Sequence, residues 1–239
     1  MAKTLIWDLE TSNLNADFGY IICASIKEYG SRVAPKVYSV SDFKNHVSDP
    51  TNDKELVKKI AGILSGADVW VTWYGKRFDL PYLDSRLLHY GYNPMPRIMH
   101  IDGWETSRSR MRLHSNRLAS VTAFLGCENK TPLSGPIWIR ASAGHKPSIK
   151  YVMKHCVQDV LVLEQAYKKM VPLIMSHPNV RVINNVGDER MCPRCGAQHL
   201  IRQGIAYTAG GHKQRYQCNA CGGWATGKPI THKNLIRPE

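Results

Sequence analysis

Apolar and polar positions along residues 1–186 form short apolar runs and longer amphipathic stretches. Runs of strand length occupy residues 3–9, 20–28, 35–40, 69–73 and 98–101. Helical spacing, bounded by cap or turn residues, occupies residues 53–65, 79–90, 116–125 and 147–170. Three strands followed by alternating helices and strands predict an α/β or α+β fold with a mixed central sheet.

The predicted helix over residues 147–170 has one charged side chain on its apolar face. At about 100° per residue, Asp159 shares that face with Ile149, Val152, Cys156, Val160, Leu163, Ala166, Tyr167 and Met170. A lone buried carboxylate protonates or destabilises the fold unless a cation compensates for its burial. His155 lies one turn before Asp159, so we expect both side chains in one site. A capped or salt-bridged Asp159 is the alternative.

Two further acidic residues, Asp8 and Glu10, lie between apolar neighbours at the end of the first predicted strand. Because side chains alternate along a strand, both point to one face, about 6.5–7 Å apart. Such a pair costs free energy unless a cation neutralises it, although a solvated strand end is the alternative. Asp79 begins a predicted helix, where it either caps the helix or faces the same cleft. Four carboxylates around two divalent ions promote attack of water on a phosphodiester.

The segment over residues 187–239 has a different composition, with many glycines and no helical period. It contains two CxxC pairs, each followed by Gly: Cys192, Cys195, Cys218 and Cys221. This spacing is typical of one structural Zn²⁺ bound by four thiolates. Two redox pairs are the alternative, but a thioredoxin-type pair opens a helix after a strand. We predict a small β-rich zinc ribbon at residues 187–239, folded by its metal and attached to a domain over residues 1–183.

Composition and charge narrow the class of partner. The chain has 32 Lys and Arg against 19 Asp and Glu, a net charge of +13. This excess predicts a polyanionic partner, most often nucleic acid, and a solubilising surface charge is the alternative. No apolar run approaches the roughly 20 residues of a membrane span, and an early acidic residue argues against a signal peptide. We therefore expect a soluble, cytoplasmic protein with no membrane partner.

Three motifs together resemble those of the DEDD 3′-to-5′ exonucleases, which include the proofreading domains of family B DNA polymerases. The motifs are Asp8-x-Glu10, Phe78-Asp79-Leu-Pro-Tyr-Leu and His155-Cys-Val-Gln-Asp159-Val. The resemblance covers residues 3 to about 170. It implies a ribonuclease H-like mixed sheet flanked by helices and hydrolysis of DNA or RNA from a 3′ end. The zinc ribbon and residues 113–133 also resemble a subgroup of predicted exonucleases common in viruses and prokaryotes.

The resemblance implies a role for each residue of the motifs. Asp8, Glu10 and Asp159 would hold the metal that activates water. Asp8 would bridge to a second metal near the leaving 3′ oxygen, with Asp79 acting through its water shell. Two Mg²⁺ or Mn²⁺ ions suit such an all-oxygen site.

Two positions depart from the family pattern. The polymerase-like branch carries Tyr four residues before the last Asp, and the histidine branch carries His five residues before it. Here His155 lies four residues before Asp159. Its imidazole would either act as general base or only orient the attacking water. Tyr74 occupies a position where the family usually has Asn, and its ring would stack on a terminal base.

Basic residues near the motifs are candidate contacts to phosphates, and a solvated loop is their alternative. They are Lys76, Arg77, Arg108, Arg110 and Arg112, followed by Arg117 and Lys130. In the tail, Arg215, Tyr216 and Trp224 would grip a backbone and stack bases, or the aromatics would pack around the zinc. We expect Trp104 in the core.

The sequence thus predicts a two-metal 3′-to-5′ exonuclease whose zinc ribbon assists nucleic-acid binding. A structure-specific endonuclease on the same fold is one alternative. A nucleic-acid-binding protein that no longer cleaves is another.

Overall fold

The computed structural model describes residues 2–128, 133–184 and 190–230 and divides the chain into two compact units. The first unit is Ala2–Met170, and the second contains the described residues from Val171 onward. The junction that we predict between residues 183 and 187 lies partly outside the described residues. The boundary between the two domains therefore stays a prediction.

A five-stranded mixed sheet forms the centre of the first unit, with strand order β3-β2-β1-β4-β5. The central strand β1 pairs antiparallel with β2 and parallel with β4. The strands are β1 (Thr4–Thr11), β2 (Ile21–Glu28), β3 (Lys36–Ser39), β4 (Val69–Thr72) and β5 (Met99–Asp102). All five predicted strands are present, and the α/β fold with a mixed sheet is confirmed.

Helices flank this sheet. They are α1 (Asn45–Ser48), α2 (Lys54–Leu64), α3 (Asp79–His89), α4 (Gly103–Arg110), α5 (Leu118–Phe124), α6 (Gly135–Ser142) and α7 (Lys146–Met170). The four predicted helices correspond to α2, α3, α5 and α7, with ends that shift by one or two residues. In the described part of the chain, no helix has the length and apolarity needed to cross a membrane.

Helix α4 is not among the predicted helices, because residues 106–114 were interpreted as a stretch of concentrated positive charge, with a solvated loop as the alternative. The structure corrects this interpretation for the residues up to Arg110. Asp102 caps the helix by accepting the N–H of Trp104 at 2.9 Å. Glu105 lies in the first turn, so an acidic cap followed three residues later by Glu was the available signal.

The long helix α7 packs against β1 and β2 and carries the catalytic candidates to the sheet. Every residue of its predicted apolar face is buried, including Asp159. Val152 and Cys156 belong to one hydrophobic cluster with Trp7 and Ile22 of the central strands. This packing brings His155 and Asp159 beside the carboxyl end of β1.

The second unit contains a three-stranded antiparallel sheet with strand order β6-β7-β8. Its strands are β6 (Leu200–Thr208), β7 (Gly211–Cys218) and β8 (Trp224–Pro229), preceded by a short helix, α8 (Val180–Ile183). The prediction of a small, β-rich segment is confirmed. Among the described residues 190–230, the buried hydrophobic side chains are Cys192 and Cys218. A conventional apolar core is therefore lacking in that range.

Candidate active site and metal centres

The carboxyl end of β1 places two acidic side chains beside α7. Glu10 is 8% exposed, whereas Asp8 is half-buried. His155 Nε2 lies 3.8 Å from Glu10 Oε1 and 3.8 Å from Asp159 Oδ2. Candidate ligand atoms of Glu10, His155 and Asp159 all lie within 4.8 Å of one another. The structure therefore brings together the first and third sequence motifs.

Cys156 adds a contact to this site that the sequence did not predict. Its Sγ donates to the main-chain oxygen of Asp8 at 3.5 Å and lies 3.7 Å from Asp8 Oδ2. Burial raises the pKa of the Cys156 thiol well above its usual value. In the structure the sulfur acts as an S–H donor to Asp8. The position of Cys156 on the apolar face next to His155 was the signal.

Asp79 is the first residue of α3, but its side chain does not cap that helix. Its Oδ1 instead accepts the N–H of Leu9 at 3.0 Å, so the carboxylate faces β1. Burial raises the pKa of Asp79 to about 7, the Leu9 N–H opposes this rise, and the charge of Asp102 adds to it. Candidate ligand atoms of Asp8, Glu10 and Cys156 form a second group within 4.8 Å of one another. Among the described residues, Asp79 belongs to neither this group nor the group that contains His155.

The residues at this end of β1 fit a hard divalent cation. Glu10 and Asp159 are buried to 8% and 6% exposure, and buried carboxylates cost free energy unless a cation or hydrogen bonds compensate. Carboxylate oxygens are suitable ligands for Mg²⁺ or Mn²⁺. The acidic cluster is therefore a candidate site for divalent metal.

A cavity of about 470 Å³ opens beside Asp8 and Asp159. The rest of its wall consists of Trp73, Tyr74, Trp104, Arg117, Leu118 and Ala119. The rings of Tyr74 and Trp104 meet edge to face, with centroids 4.9 Å apart. Our expectation that Trp104 lies in the core was wrong, because α4 starts directly after β5 and places this ring in the cavity wall.

The turn that carries Tyr74 has an unusual backbone. Tyr74 has φ 67°, in the left-handed region that bulky residues rarely adopt. Asp102, 3% exposed, accepts the N–H groups of Tyr74 and Lys76 at 2.9 and 3.1 Å and also caps α4. The Asn that the family usually has here tolerates this conformation better than Tyr. Asp102 therefore fixes the turn and holds the Tyr74 ring in the cavity wall.

Some of the predicted basic residues lie near Trp104 or line the cavity, and others lie away from it. Arg77 and Arg108 each place a guanidinium over the Trp104 ring, at 5.4 and 5.3 Å from its centroid, and Lys76 pairs with Glu105 at 2.7 Å. Arg117 lines the cavity itself. Arg110 and Arg112 are exposed at the end of α4 and beyond it, outside the residues that line the cavity. Lys130 lies outside the described residues.

The four tail cysteines fit a structural zinc site. Their sulfur atoms lie within 4.8 Å of one another, and Sγ–Sγ distances of 3.8 Å join Cys192 to Cys221 and Cys195 to Cys218. A tetrahedral zinc with Zn–S bonds of about 2.3 Å requires sulfurs about 3.8 Å apart. The N–H of Gly223 donates to Cys221 Sγ at 3.4 Å, as expected for a knuckle turn.

The two predicted nucleic-acid contacts of the ribbon, Arg215 and Tyr216, are neighbours on β7. Alternation of side chains therefore places them on opposite faces of the sheet. Arg215 lies over the ring of Trp224, with 4.8 Å to the centroid. Tyr216 is half-buried on the other face.

The mixed five-stranded sheet flanked by helices is a ribonuclease H-like fold. The RNase_H_2 family of the RNase_H superfamily matches residues 5–171, and the chain belongs to this family. A DNA polymerase of Methanocaldococcus jannaschii is 33% identical over 94 residues, which are 37% of this chain and 6% of that protein.

A solved structure shares the fold. It is the family B DNA polymerase from the hyperthermophilic archaeon Pyrobaculum calidifontis, with a TM-score of 0.54 and 13% identity. The match covers 87% of this chain and 31% of that chain. At this identity the likeness shows the fold alone, and this chain spans less than a third of either polymerase.

Proposed function

We propose that the chain is a metal-dependent 3′-to-5′ exonuclease that hydrolyses phosphodiester bonds of DNA or RNA in the cytoplasm. In this proposal its zinc ribbon assists nucleic-acid binding. The convergence of Glu10, His155 and Asp159 within 4.8 Å of one another carries the proposal. A protein that only binds a polyanion has no reason to concentrate carboxylates beside the cavity that receives it, because like charges repel.

In the proposed mechanism Asp8, Glu10 and Asp159 would hold two Mg²⁺ or Mn²⁺ ions, and Asp79 would act through water. Such ions, when bound, lower the pKa of water and neutralise charge that develops on the phosphate. His155 Nε2, 3.8 Å from both Glu10 and Asp159, is placed to accept the proton of the attacking water or to orient that water. Cys156 donates to Asp8 and keeps its carboxylate in place.

The cavity beside the acidic cluster supports cleavage at a strand end. Tyr74 and Trp104 present aromatic rings on which a terminal base can stack. Arg117 brings positive charge to the same wall. A volume of about 470 Å³ is in the range of sites for one small ligand, so it suits one terminal nucleotide better than a continuous duplex.

End-labelled linear and circular DNA and RNA, digested with Mg²⁺ or Mn²⁺, test this proposal. We expect mononucleotides from linear single strands with a free 3′ end, and no cleavage of circles or of strands with a blocked 3′ end. Cleavage of the circles identifies an endonuclease instead. Binding without cleavage of any substrate identifies a protein that no longer cuts.

Asp8→Ala tests the metal site. We expect cleavage to fall at least about 100-fold, since removal of one ligand disturbs metal position and charge, while the fold is retained. Circular dichroism and thermal unfolding verify the fold. The matched control is Glu55→Gln, which removes an exposed carboxylate in the first turn of α2 and should leave cleavage unchanged. Full activity of Asp8→Ala with Mg²⁺ present contradicts the assignment.

The role of His155 is separable by two variants. His155→Ala should lose about 10²- to 10⁴-fold in rate and change the pH profile if the imidazole is the base. His155→Tyr restores a hydroxyl that orients water but supplies no base near neutral pH. Recovery of the rate in His155→Tyr with an unchanged pH profile would assign His155 an orienting role only.

A further inference from the structure

The ribbon over residues 187–239 has eight Lys and Arg against three acidic residues, Asp188, Glu189 and Glu239. Its described part, residues 190–230, is more basic still. It contains six Lys and Arg and no Asp or Glu: Arg190, Arg194, Arg202, Lys213, Arg215 and Lys228. Even with the two negative charges of a Zn(Cys)₄ centre, its net charge remains strongly positive. Charge complementarity therefore points to a polyanion as the ligand of the ribbon.

The strand register determines which side chains share a face. Ile201 pairs with Gln217, and Gln217 pairs with Trp224. Directly paired residues of antiparallel strands point to the same side, and Arg215, two residues before Gln217, points there as well. We call these four residues the Trp224 face. Ile201 and Trp224 remain 39% and 45% exposed on it.

Arg215 is held in a defined position on the Trp224 face. Its guanidinium lies 4.8 Å from the centroid of the Trp224 ring, and its Nε donates to the main-chain oxygen of Gln203 at 2.8 Å. The bond and the ring contact keep a positive charge beside an exposed indole. Aromatic surface next to positive charge is the chemistry that binds unpaired bases together with their phosphates.

Tyr216 has a different environment on the opposite face, which also carries Cys218. A Cβ atom built on Gly227 of β8 would lie only 3.0 Å from Tyr216 Cε2, so the phenol packs closely against that strand. The ring of Tyr216 therefore stabilises the sheet. Trp224 is the aromatic ring that the sheet presents beside a basic side chain.

We propose that the Trp224 face binds single-stranded nucleic acid, with an unpaired base stacked on Trp224 and a neighbouring phosphate held by Arg215. The nature of the ligand rests on the proposed function, but binding at this face requires no cleavage. A duplex keeps its bases within the helical stack, so it offers this face only phosphates. The site should therefore prefer single strands and tolerate any base sequence.

Binding of labelled oligonucleotides to the full chain tests the proposal by fluorescence anisotropy. All proteins carry Asp8→Ala so that the ligands remain intact. The ligands are single-stranded DNA, the equivalent RNA, a duplex and an abasic strand of the same length. Stacking contributes about 1–3 kcal/mol per base, which corresponds to about 5- to 150-fold in affinity. We expect Trp224→Ala to weaken binding of single strands by at least about 5-fold and to leave binding of the abasic strand unchanged.

Matched variants separate stacking from charge. Trp224→Phe keeps an aromatic face and should retain most of the affinity. Tyr207→Ala removes an aromatic ring that is 73% exposed and lies outside the Trp224 face, so it should have no effect. Arg215→Gln should reduce the salt dependence by the slope of about one phosphate contact, roughly 0.7. The DNA and RNA arms show which sugar the site accepts.

Unchanged affinity of Trp224→Ala, or equal losses on the abasic and normal strands, would overturn the proposal. Zinc content is measured for each variant. If Trp224→Ala loses zinc, Trp224→Leu keeps the bulk of the side chain without its aromatic face, and its affinity decides the question. If the wild-type chain cleaves no substrate in the digestion test but binding depends on Trp224, the exonuclease proposal is contradicted and the proposal for the Trp224 face stands. If the wild-type chain cleaves its substrates but binding does not depend on Trp224, only the proposal for the Trp224 face is contradicted.

Discussion

The two units of this protein are stabilised by different means. In the first unit, a large apolar cluster that includes Trp7, Trp70 and Leu83 surrounds the central strands. Burial of each such side chain stabilises the fold by about 1.5–3 kcal/mol. This stabilisation offsets the cost of the buried carboxylates at the candidate active site. The ribbon buries little besides Cys192 and Cys218 among its hydrophobic side chains, so we expect its fold to depend on a metal.

The same difference appears in how the units use charge. The first unit collects acidic side chains where a cation is needed, at the end of β1 and on α7. The ribbon contains no acidic residue between positions 190 and 230. A catalytic surface must hold cations that act on a phosphate, whereas a binding surface only has to attract it. If the proposed function is right, one polyanionic ligand requires opposite charges at the catalytic site and at the binding site.

Loss of zinc is the strongest test of this comparison. Structural zinc contributes about 10 kcal/mol or more to the folding of small domains. We expect Cys192→Ala to abolish zinc binding and the amide protection of residues 190–230, with residues 4–128 unaffected. Hydrogen exchange with mass spectrometry measures both regions in one sample. Persistent protection of the metal-free ribbon would show that its fold does not depend on zinc.

Removal of a buried ion pair should destabilise the first unit and leave the ribbon unaffected. Arg86 Nη2 lies 2.7 Å from Asp53 Oδ1, and Asp53 is fully buried. Arg86→Met leaves that carboxylate without its guanidinium, which should lower the free energy of unfolding by about 3–5 kcal/mol. Urea unfolding of the first unit reports this loss, while the zinc content of the ribbon should be unchanged. A loss below about 1 kcal/mol would mean that Ile21 N–H and Tyr90 OH alone compensate the charge.

The pH dependence of the first unit provides a smaller effect. Burial lowers the pKa of His100 to about 4, and the charge of Lys76 adds to this shift. The unfolded chain binds the proton with a pKa near 6.5, so acid favours unfolding between about pH 6.5 and 4. We expect up to about 3 kcal/mol of stability, present above pH 6.5, to disappear across this range. Urea unfolding at several pH values measures it, and His100→Gln should flatten the curve in this window.

An exposed ion pair should have the smallest effect. The side chains of Lys76 and Glu105, 2.7 Å apart, are 34% and 42% exposed. Solvent screens such pairs, so Lys76→Met should change the free energy of unfolding by about 0–1 kcal/mol. The measurement is the same urea titration as for Arg86→Met. Comparable losses in the two variants would contradict the importance that we assign to burial.

Much of the fold was predictable from residues with a clear period. The face of α7 followed from apolar spacing, and the structure buries every residue of that face, including Asp159. The ribbon followed from four cysteines, because the spacing of metal ligands along the chain is nearly sufficient to define such a site. The short helices α1 and α6 were not predicted, since few apolar positions in them repeat with a helical period. In α6, a Ser followed by Gly and Pro was the remaining signal of a helix start.

The acidic residues of the candidate site could be predicted from the sequence, but the residues that surround them could not. Acidic residues within apolar neighbourhoods identified Asp8, Glu10 and Asp159, because burial of charge is costly in any fold. Trp104 and Cys156 look like ordinary core residues in sequence. The packing of α4 places Trp104 in the cavity wall. The packing of α7 against β1 places Cys156 in contact with Asp8.

The sequence alone predicted the elements of the sheet, the four cysteines that fit a zinc site and the acidic set, since each depends on local spacing and residue chemistry. The tertiary structure decided which of these residues meet. The 3.8 Å distance from His155 to Glu10, the contact of Cys156 with Asp8 and the hydrogen bond from the Tyr74 N–H to Asp102 depend on how strands pair and helices pack. Such contacts join residues far apart in the chain, and no local period encodes them.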